Sequence, residues 1–197
     1  MLRAISVCAA TLSLALATAS VASAHPPTLY ERLADKMARD PKFAEAIGKP
    51  AREMAEVAWL VGEWDITTKV FATPKSPERI SQGRSKVALA LGGVWLQVTD
   101  TYGASSPDLS FLTYSPTRKR WISVTIDDAT NAIITTADRW NANRLIFTGP
   151  PVEILGERAT LRQTMQKISD REYRLRNEEL LADGSWVPVD EYHYTKR

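Results

Sequence analysis

The sequence contains one cysteine, Cys8, which lies in an N-terminal segment with the features of a signal peptide. Arg3 gives a positive start, an apolar run follows, and Ala22-Ser23-Ala24 supplies the small residues of a cleavage site. The apolar run is shorter than the roughly 20 residues that a membrane-spanning helix needs. We therefore expect cleavage after Ala24 and export of a soluble chain, periplasmic or secreted, that begins at His25.

Loss of Cys8 with the signal peptide would leave a mature chain without cysteine. Such a chain has no disulfide, no thiolate nucleophile and no cysteine metal ligand. An exported domain of this kind depends on its hydrophobic core for stability, and the length is sufficient for one such domain.

Histidine is also scarce, with His25 and His193 as the two copies. There is no nucleophile elbow and no serine–histidine–acid pattern. An N-terminal His25 would chelate a transition metal only with a second imidazole, and His193 would be a haem ligand only in a suitable interior site. A free terminus and a polar strand residue are the simpler interpretations. The sequence predicts no metal and no cofactor, and it leaves the question of catalysis undecided.

Neither sign of charge dominates. The chain has 25 lysine and arginine residues and 23 aspartate and glutamate residues, and the signs alternate along it. It contains no basic block and no motif that interleaves basic and aromatic residues. These features argue against nucleic-acid binding.

Residues 25–58 are predicted to form a helical arm. Thr28 is a suitable N-cap, apolar residues recur near helical spacing, and Asp40-Pro41 interrupts the pattern. Gly48 and Pro50 end a second short helical piece. The arm either covers one end of the following domain or binds a separate partner.

From residue 59 onward the hydrophobic period changes to two, which predicts β-strands. Short connections separate the strands, and Gly92-Gly93 marks a hairpin. The predicted strands cover residues 59–71, 79–91, 94–103, 108–115, 119–128, 131–140, 143–149, 157–168, 171–181 and 185–195. A meander of about ten antiparallel strands typically closes into a barrel, so residues 59–197 are predicted to form an all-β, up-and-down barrel domain.

The order of short motifs resembles the calycin superfamily of lipocalin-like barrels, and in particular a group of uncharacterised secreted bacterial proteins. The motifs are Leu60-x-Gly62-x-Trp64, Gly92-Gly93, Tyr114-Ser115-Pro116, Trp121, Asp183-Gly184-x-Trp186 and Tyr192-x-Tyr194. The resemblance covers about residues 59 to 195 and implies a barrel with an interior ligand, without implying a reaction. It also implies that Trp64 closes one end of the barrel, while the adjacent Glu63 points outward.

Alternation within strands leaves the internal face undecided. Trp95, Gln97 and Thr99 share one face of their strand, and Trp121 heads a polar face beside the apolar series of Ile122, Val124 and Ile126. In one arrangement the apolar faces fill the core.

In the other arrangement, Trp95, Gln97, Thr99 and Trp121 line a ligand cavity with a mixed surface. Arg162 joins these candidates because, on an internal face, its guanidinium would orient an anionic group. Asp138 and Arg174 would belong with it, although all three charges suit an exposed surface. The adjacent pairs Asp127-Asp128 and Glu178-Glu179 point to opposite faces and favour solvated positions over an acid–base pair.

The sequence as a whole favours an exported protein that binds a small hydrophobic or amphipathic molecule in a barrel cavity. Two alternatives stay open. The first is an isomerase or hydrolase that uses the same cavity, and the second is an interaction protein with a filled barrel.

Overall fold

A computed structural model describes residues 26–103, 107–128, 132–154 and 156–197. The predicted signal peptide, residues 1–24, and His25 lie outside the described residues. In the described part of the chain, no helix has both the length and the apolar character needed to cross a membrane.

The described chain divides into two compact units, with the boundary between residues 44 and 45. In the first, helix α1 (Leu29–Arg39) begins with a capping box, in which the Glu31 backbone N–H donates to Thr28 Oγ1 and Glu31 Oε2 accepts from the Thr28 backbone. Helix α2 (Pro41–Ala46) starts at the predicted proline break. The Thr28 cap and the interruption at Asp40-Pro41 are therefore confirmed.

The second unit is a closed antiparallel barrel of ten strands, so the predicted fold class is confirmed. The strands are β1 (Gly62–Val70), β2 (Arg79–Ala90), β3 (Trp95–Thr101), β4 (Asp108–Ser115), β5 (Arg120–Ile126), β6 (Ile133–Ala137), β7 (Arg144–Thr148), β10 (Leu161–Ser169), β11 (Glu172–Leu180) and β12 (Trp186–Lys196). Each strand pairs with its neighbour in sequence, and β1 pairs with β12 to close the ring. Each barrel strand overlaps a predicted segment, including the two charged segments in β10 and β11.

The connection between β7 and β10 contains a small hairpin that the sequence pattern did not predict. Its strands are β8 (Val152–Ile154) and β9 (Glu157–Ala159), which pair only with each other. The predicted strand from residue 157 to 168 is thus two elements, because the chain leaves one sheet at residue 160 and enters the barrel at Leu161.

A 3₁₀ helix, Arg52–Leu60, precedes the barrel and replaces the predicted start of strand at Trp59. Its Met54, Val57 and Leu60 side chains are buried in the barrel core. These residues are three positions apart, which is the spacing of one face of a 3₁₀ helix. Strand β1 begins only at Gly62. The barrel end beside this helix is termed the closed end.

Aromatic packing fills the closed end. Trp64 is fully buried, and its indole Nε1 donates to the backbone oxygen of Leu60 at 2.8 Å. Its ring meets the edge of Tyr173 at 4.9 Å between centroids, and the Tyr173 ring stacks on Tyr194 at 4.2 Å. The Glu63 side chain is 63% exposed. These contacts place Trp64 in the closure that its motif implied.

Gly83 in β2 allows the Tyr102 side chain to lie directly against the sheet. A Cβ at this position would stand 2.5 Å from Tyr102 Cδ1 and 2.7 Å from the backbone oxygen of Thr101. These distances are too short for any side chain, and the backbone atom cannot rotate away.

We expect Gly83→Ala to lower the free energy of unfolding by about 2 kcal/mol, because an added methyl in a packed interior forces its neighbours apart. Urea titration measures the change. Gln82→Ala, at the exposed neighbouring position, is the control and is expected to change stability by about 0.5 kcal/mol or less. Equal stability of the Gly83→Ala variant and the wild type would contradict the close approach.

Candidate functional site

A cavity of about 180 Å³ lies inside the barrel, toward the end opposite the 3₁₀ helix. Its lining residues on β3, β4, β5, β6 and β10 lie near the strand ends remote from the 3₁₀ helix, whereas those on β11 and β12 lie nearer the aromatic core. The lining combines carboxylates, hydroxyls, amides and apolar side chains from Asp100, Tyr102, Asp108, Ser110, Thr125, Asp127, Ile133, Thr135, Leu161, Arg162, Gln163, Leu175, Asn177, Tyr192 and Tyr194. A second void of about 60 Å³ adjoins it on the side of the aromatic core.

Three neighbouring strands bring carboxylates to one part of the cavity wall. Asp100 on β3 is the direct cross-strand partner of Asp108 on β4. Asp127 follows the end of β5 and lines the same cavity. Ser110 and Thr125 are each two residues from one of these acids, on β4 and β5, so they lie on the same inner face and extend the polar wall. Their hydroxyl groups hydrogen-bond to each other at 3.1 Å.

Asp100 connects this wall to the aromatic core. The hydroxyl of Tyr194 on β12 donates to Asp100 Oδ2 at 2.8 Å, and the Tyr194 ring is buried against Tyr173. Burial raises the pKa of Asp100, and the nearby charge of Asp108 adds to the rise, while the hydroxyls of Ser85 and Tyr194 oppose it. The result is a carboxyl group that resists ionisation and is hydrogen-bonded to a tyrosine.

The pKa values of Asp108 and Asp190 are also raised. Burial raises the pKa of Asp108, and the charges of Asp127 and Asp128 raise it further. On the β11–β12 side, burial raises the pKa of Asp190 from 3.8 to about 6, although a hydrogen bond from Asn177 opposes the rise.

A chain of side-chain hydrogen bonds fixes the β10–β12 side of the cavity. Gln163 Nε2 donates to Asn177 Oδ1 at 3.1 Å, and Asn177 Nδ2 donates to Asp190 Oδ1 at 2.8 Å. Asn177 and Asp190 are direct cross-strand partners and both lie on the inner face. A β-bulge follows Asn177 in the β11–β12 pairing and changes the direction of the residues beyond it.

The predicted site residues are distributed over both faces of the barrel. On β3, Leu96 is fully buried and Asp100 lines the cavity, so the alternate residues Trp95, Gln97 and Thr99 face outward. Trp95 contacts the outer face of β4 through Phe111, with ring centroids 6.4 Å apart. The shared cavity wall expected for these three residues does not form; a ligand role for them stays a prediction.

Trp121 lies on the opposite face from Trp95, in contrast to the predicted common face. Gln97 pairs with Phe111, whereas Trp121 pairs with Tyr114. Positions 111 and 114 are an odd number apart on β4, and their side chains therefore point to opposite sides. Trp121 is buried inside the barrel, and its apolar neighbours Ile122, Val124 and Ile126 face outward.

Arg162 lines the cavity, but its guanidinium belongs to an outer-face cluster. Its Nε lies 2.7 Å from Glu178 Oε2, and its guanidinium stacks over the Trp186 ring at 4.3 Å. Asp138 pairs with Arg120 in an 81% exposed position, and Arg174 is exposed. The buried Asp–Arg pairing considered for these residues is not formed, because Arg162 and Arg174 occupy outward positions of their strands and Asp138 is an exposed residue after the end of β6.

His193 faces outward on β12, where its Nε2 lies 2.7 Å from Glu172 Oε1. Its neighbours Tyr192 and Tyr194 point inward and line the cavity. Among the described residues, no group of three or more histidine and acidic side chains has a geometry that could hold a metal ion.

Sequence reasoning missed Asp100, Asp108 and Asp190 as site residues. A signal was present in β3, where Asp100 ends the apolar alternation of Leu96 and Val98 on the inward face. Its contact with Tyr194 joins residues 94 positions apart, which no local pattern indicates.

Comparison with a solved structure supports the fold. A protein of unknown function from the DUF3598 family of Nostoc punctiforme superposes with a TM-score of 0.50 at 14% identity, over 76% of this chain and 51% of that one. This chain thus corresponds to about half the length of the Nostoc protein. A redesigned β-barrel matches with a TM-score of 0.36 at 12% identity, over 76% of this chain and 99% of that one.

Among curated proteins, none matches this chain. A family model described as a protein of unknown function, DUF1579, matches residues 49–196, which comprise the 3₁₀ helix and the barrel up to the last residue of β12. The chain therefore belongs to the DUF1579 family.

Proposed function

We propose that this protein is an exported, calycin-like binding protein that holds a small, partly apolar molecule inside its barrel. The observation that supports the proposal is the cavity of about 180 Å³, which a barrel filled by its own side chains would not contain. Apolar cavities of about 150 Å³ accommodate a molecule the size of benzene. A ligand with one small ring or a short chain matches this space.

The wall supplies both kinds of contact that such a ligand needs. Ile133, Leu161 and Leu175 offer apolar surface, while Asn177 and Tyr192 offer hydrogen-bonding groups. Burial of apolar ligand area contributes roughly 25 cal/mol per Å², and the few polar groups fix orientation.

Native mass spectrometry of protein purified from its source tests the proposal. We expect a retained ligand to appear as added mass under gentle ionisation and to disappear under denaturing conditions. Thr125→Phe places a ring in the cavity and should abolish the added mass. Val124→Phe, at the next and outward-facing position, is the matched control and should retain it. Retention by both variants would show that the mass does not occupy the cavity.

A second candidate is an enzyme, such as an isomerase or hydrolase, that acts in the same cavity. It is favoured by the hydrogen bond between Tyr194 and Asp100, since a buried carboxyl group with a raised pKa is suited to general acid–base catalysis. For a ligand found by mass spectrometry, Asp100→Asn would then abolish turnover and preserve binding. Absence of turnover by the wild type would exclude the enzyme for that ligand.

A further inference from the structure

An open cleft of about 540 Å³ lies at the closed end of the barrel. Its walls are formed by Trp59 of the 3₁₀ helix, Trp140 after β6 and Lys167 of β10. None of the described residues that line this cleft also lines the interior cavity. Most of the exposed lining is apolar, so the cleft offers the contact surface that a ring-bearing molecule requires.

Hydrogen bonds and ring packing fix the walls of the cleft. The Lys167 backbone N–H donates to the Asn143 backbone oxygen at 2.8 Å, and Asn143 Nδ2 donates to the Lys167 backbone oxygen at 2.8 Å. Trp59 Nε1 donates to the Glu56 backbone oxygen at 2.9 Å, and the Trp59 and Tyr173 rings pack edge to face with their centroids 5.5 Å apart. Walls that are already in place reduce the entropy cost of binding a ligand.

Positively charged groups border the cleft. Lys167 Nζ lies 4.9 Å from the centre of the Trp59 ring, and Lys196 Nζ donates to the Trp59 backbone oxygen at 2.9 Å. Arg139 lines the cleft, and its guanidinium makes no hydrogen bond or ion pair with the other described residues. The parallel N–H donors of a guanidinium match the two oxygens of a carboxylate.

Acceptors are fewer than donors around the cleft. Glu56 is the one acid among the described lining residues, and Asp170, which pairs with Lys167, is 78% exposed. Exposed ion pairs contribute little to stability, so Lys167 can turn toward a ligand. Trp140 Nε1 is buried and donates to no acceptor in the described chain, although buried indole N–H groups usually have a partner. The surplus of donors favours an anionic ligand.

We propose that this cleft binds an organic anion, a carboxylate carried on a flat aromatic ring. The ring packs against Trp59 and Trp140, and the carboxylate pairs with Arg139. Lys167 supplies a second positive charge beside the ring. The cleft is separate from the interior cavity, and binding there is independent of the proposed function.

Isothermal titration calorimetry with 2-naphthoate and the neutral 2-naphthylmethanol tests the charge preference. We expect the naphthoate to bind at least about tenfold more tightly, because a hydrogen bond to an ionised partner is stronger than a neutral one. Equal affinities, or tighter binding of the alcohol, would overturn the preference for an anion. Failure of both probes to bind would overturn the site itself.

Two variants of the cleft should change the naphthoate affinity in opposite directions. Arg139→Gln should weaken it about tenfold and change the affinity for the alcohol by less than about twofold. Glu56→Gln removes the opposing charge and should strengthen naphthoate binding by about threefold. Arg158→Gln, at an exposed arginine of β9, is the matched control and should leave both affinities unchanged. Undiminished naphthoate affinity in Arg139→Gln would overturn the role of the guanidinium.

Nuclear magnetic resonance tests where the naphthoate binds. Its ring currents should shift the Trp140 indole N–H in a saturable way and leave the Ile133 methyl, which lines the interior cavity, unchanged. A saturable shift of Ile133 without one of Trp140 would locate the probe in the interior cavity and overturn the cleft as its site.

Discussion

Trp64→Ala is expected to lower the free energy of unfolding by about 3–5 kcal/mol, because removing a fully buried indole loses its transfer free energy and leaves a cavity. The loss extends to the edge contact with Tyr173 and to the hydrogen bond with the Leu60 backbone. Both contacts tie β1 to the elements at the closed end. Urea titration followed by circular dichroism measures the change.

Trp95→Ala is the matched control for this prediction. Trp95 faces outward and is partly exposed, and its described ring contact is with Phe111 on the same outer face. We expect its replacement to cost about 1 kcal/mol, as for a substitution that removes surface packing. Similar losses in the two variants would show that the closed end does not depend on Trp64.

Asp190→Asn is expected to stabilise the protein at neutral pH by about 3 kcal/mol, with almost no effect near pH 4. Burial raises the pKa of Asp190 to about 6 from 3.8, so the folded state keeps its proton after the unfolded state has released it. Stability contributed by this group is complete below about pH 4 and is lost as pH rises through about 6. Asparagine can still accept the hydrogen bond from Asn177 without carrying the charge.

The measurement is the difference in free energy of unfolding between variant and wild type across this pH range. Asp138→Asn provides the comparison, since its carboxylate is 81% exposed and the variant should show a difference of about 0.5 kcal/mol or less at each pH. A pH-independent difference for Asp190→Asn would contradict the effect of burial on its ionisation.

The barrel was predictable from the sequence because its strands alternate and their connections are short. The closure by Trp64 was predictable from its motif, and the helical break at Asp40-Pro41 from proline chemistry. The prediction ended the helical segment at residue 58, whereas the 3₁₀ helix continues to Leu60. Trp59 and Leu60 are as compatible with a strand as with a helix. The β8–β9 hairpin was missed because its strands are only three residues long.

The binding site was much less predictable, because it depends on which face of each strand is internal. Apolar residues face inward on β3, whereas on β5 the polar series with Ser123 and Thr125 faces inward and Val124 faces outward. A rule that puts the apolar face inside is correct for the first strand and wrong for the second. The pairing register of β4 with β3 and β5 determines which face of each strand is internal. Register is a property of pairs of strands and cannot be inferred from one strand alone.

A cavity that accepts ligand is the central claim, and methyl chemical shifts in nuclear magnetic resonance spectra test it most directly. Ile133 lines the cavity, while Ile134, the next residue, is 58% exposed on the outer face. With benzyl alcohol as the probe, ring currents should shift the Ile133 methyl in a saturable way and leave Ile134 unchanged. A saturable shift of Ile134 without one at Ile133, or no shift at either residue, would contradict ligand binding inside the barrel.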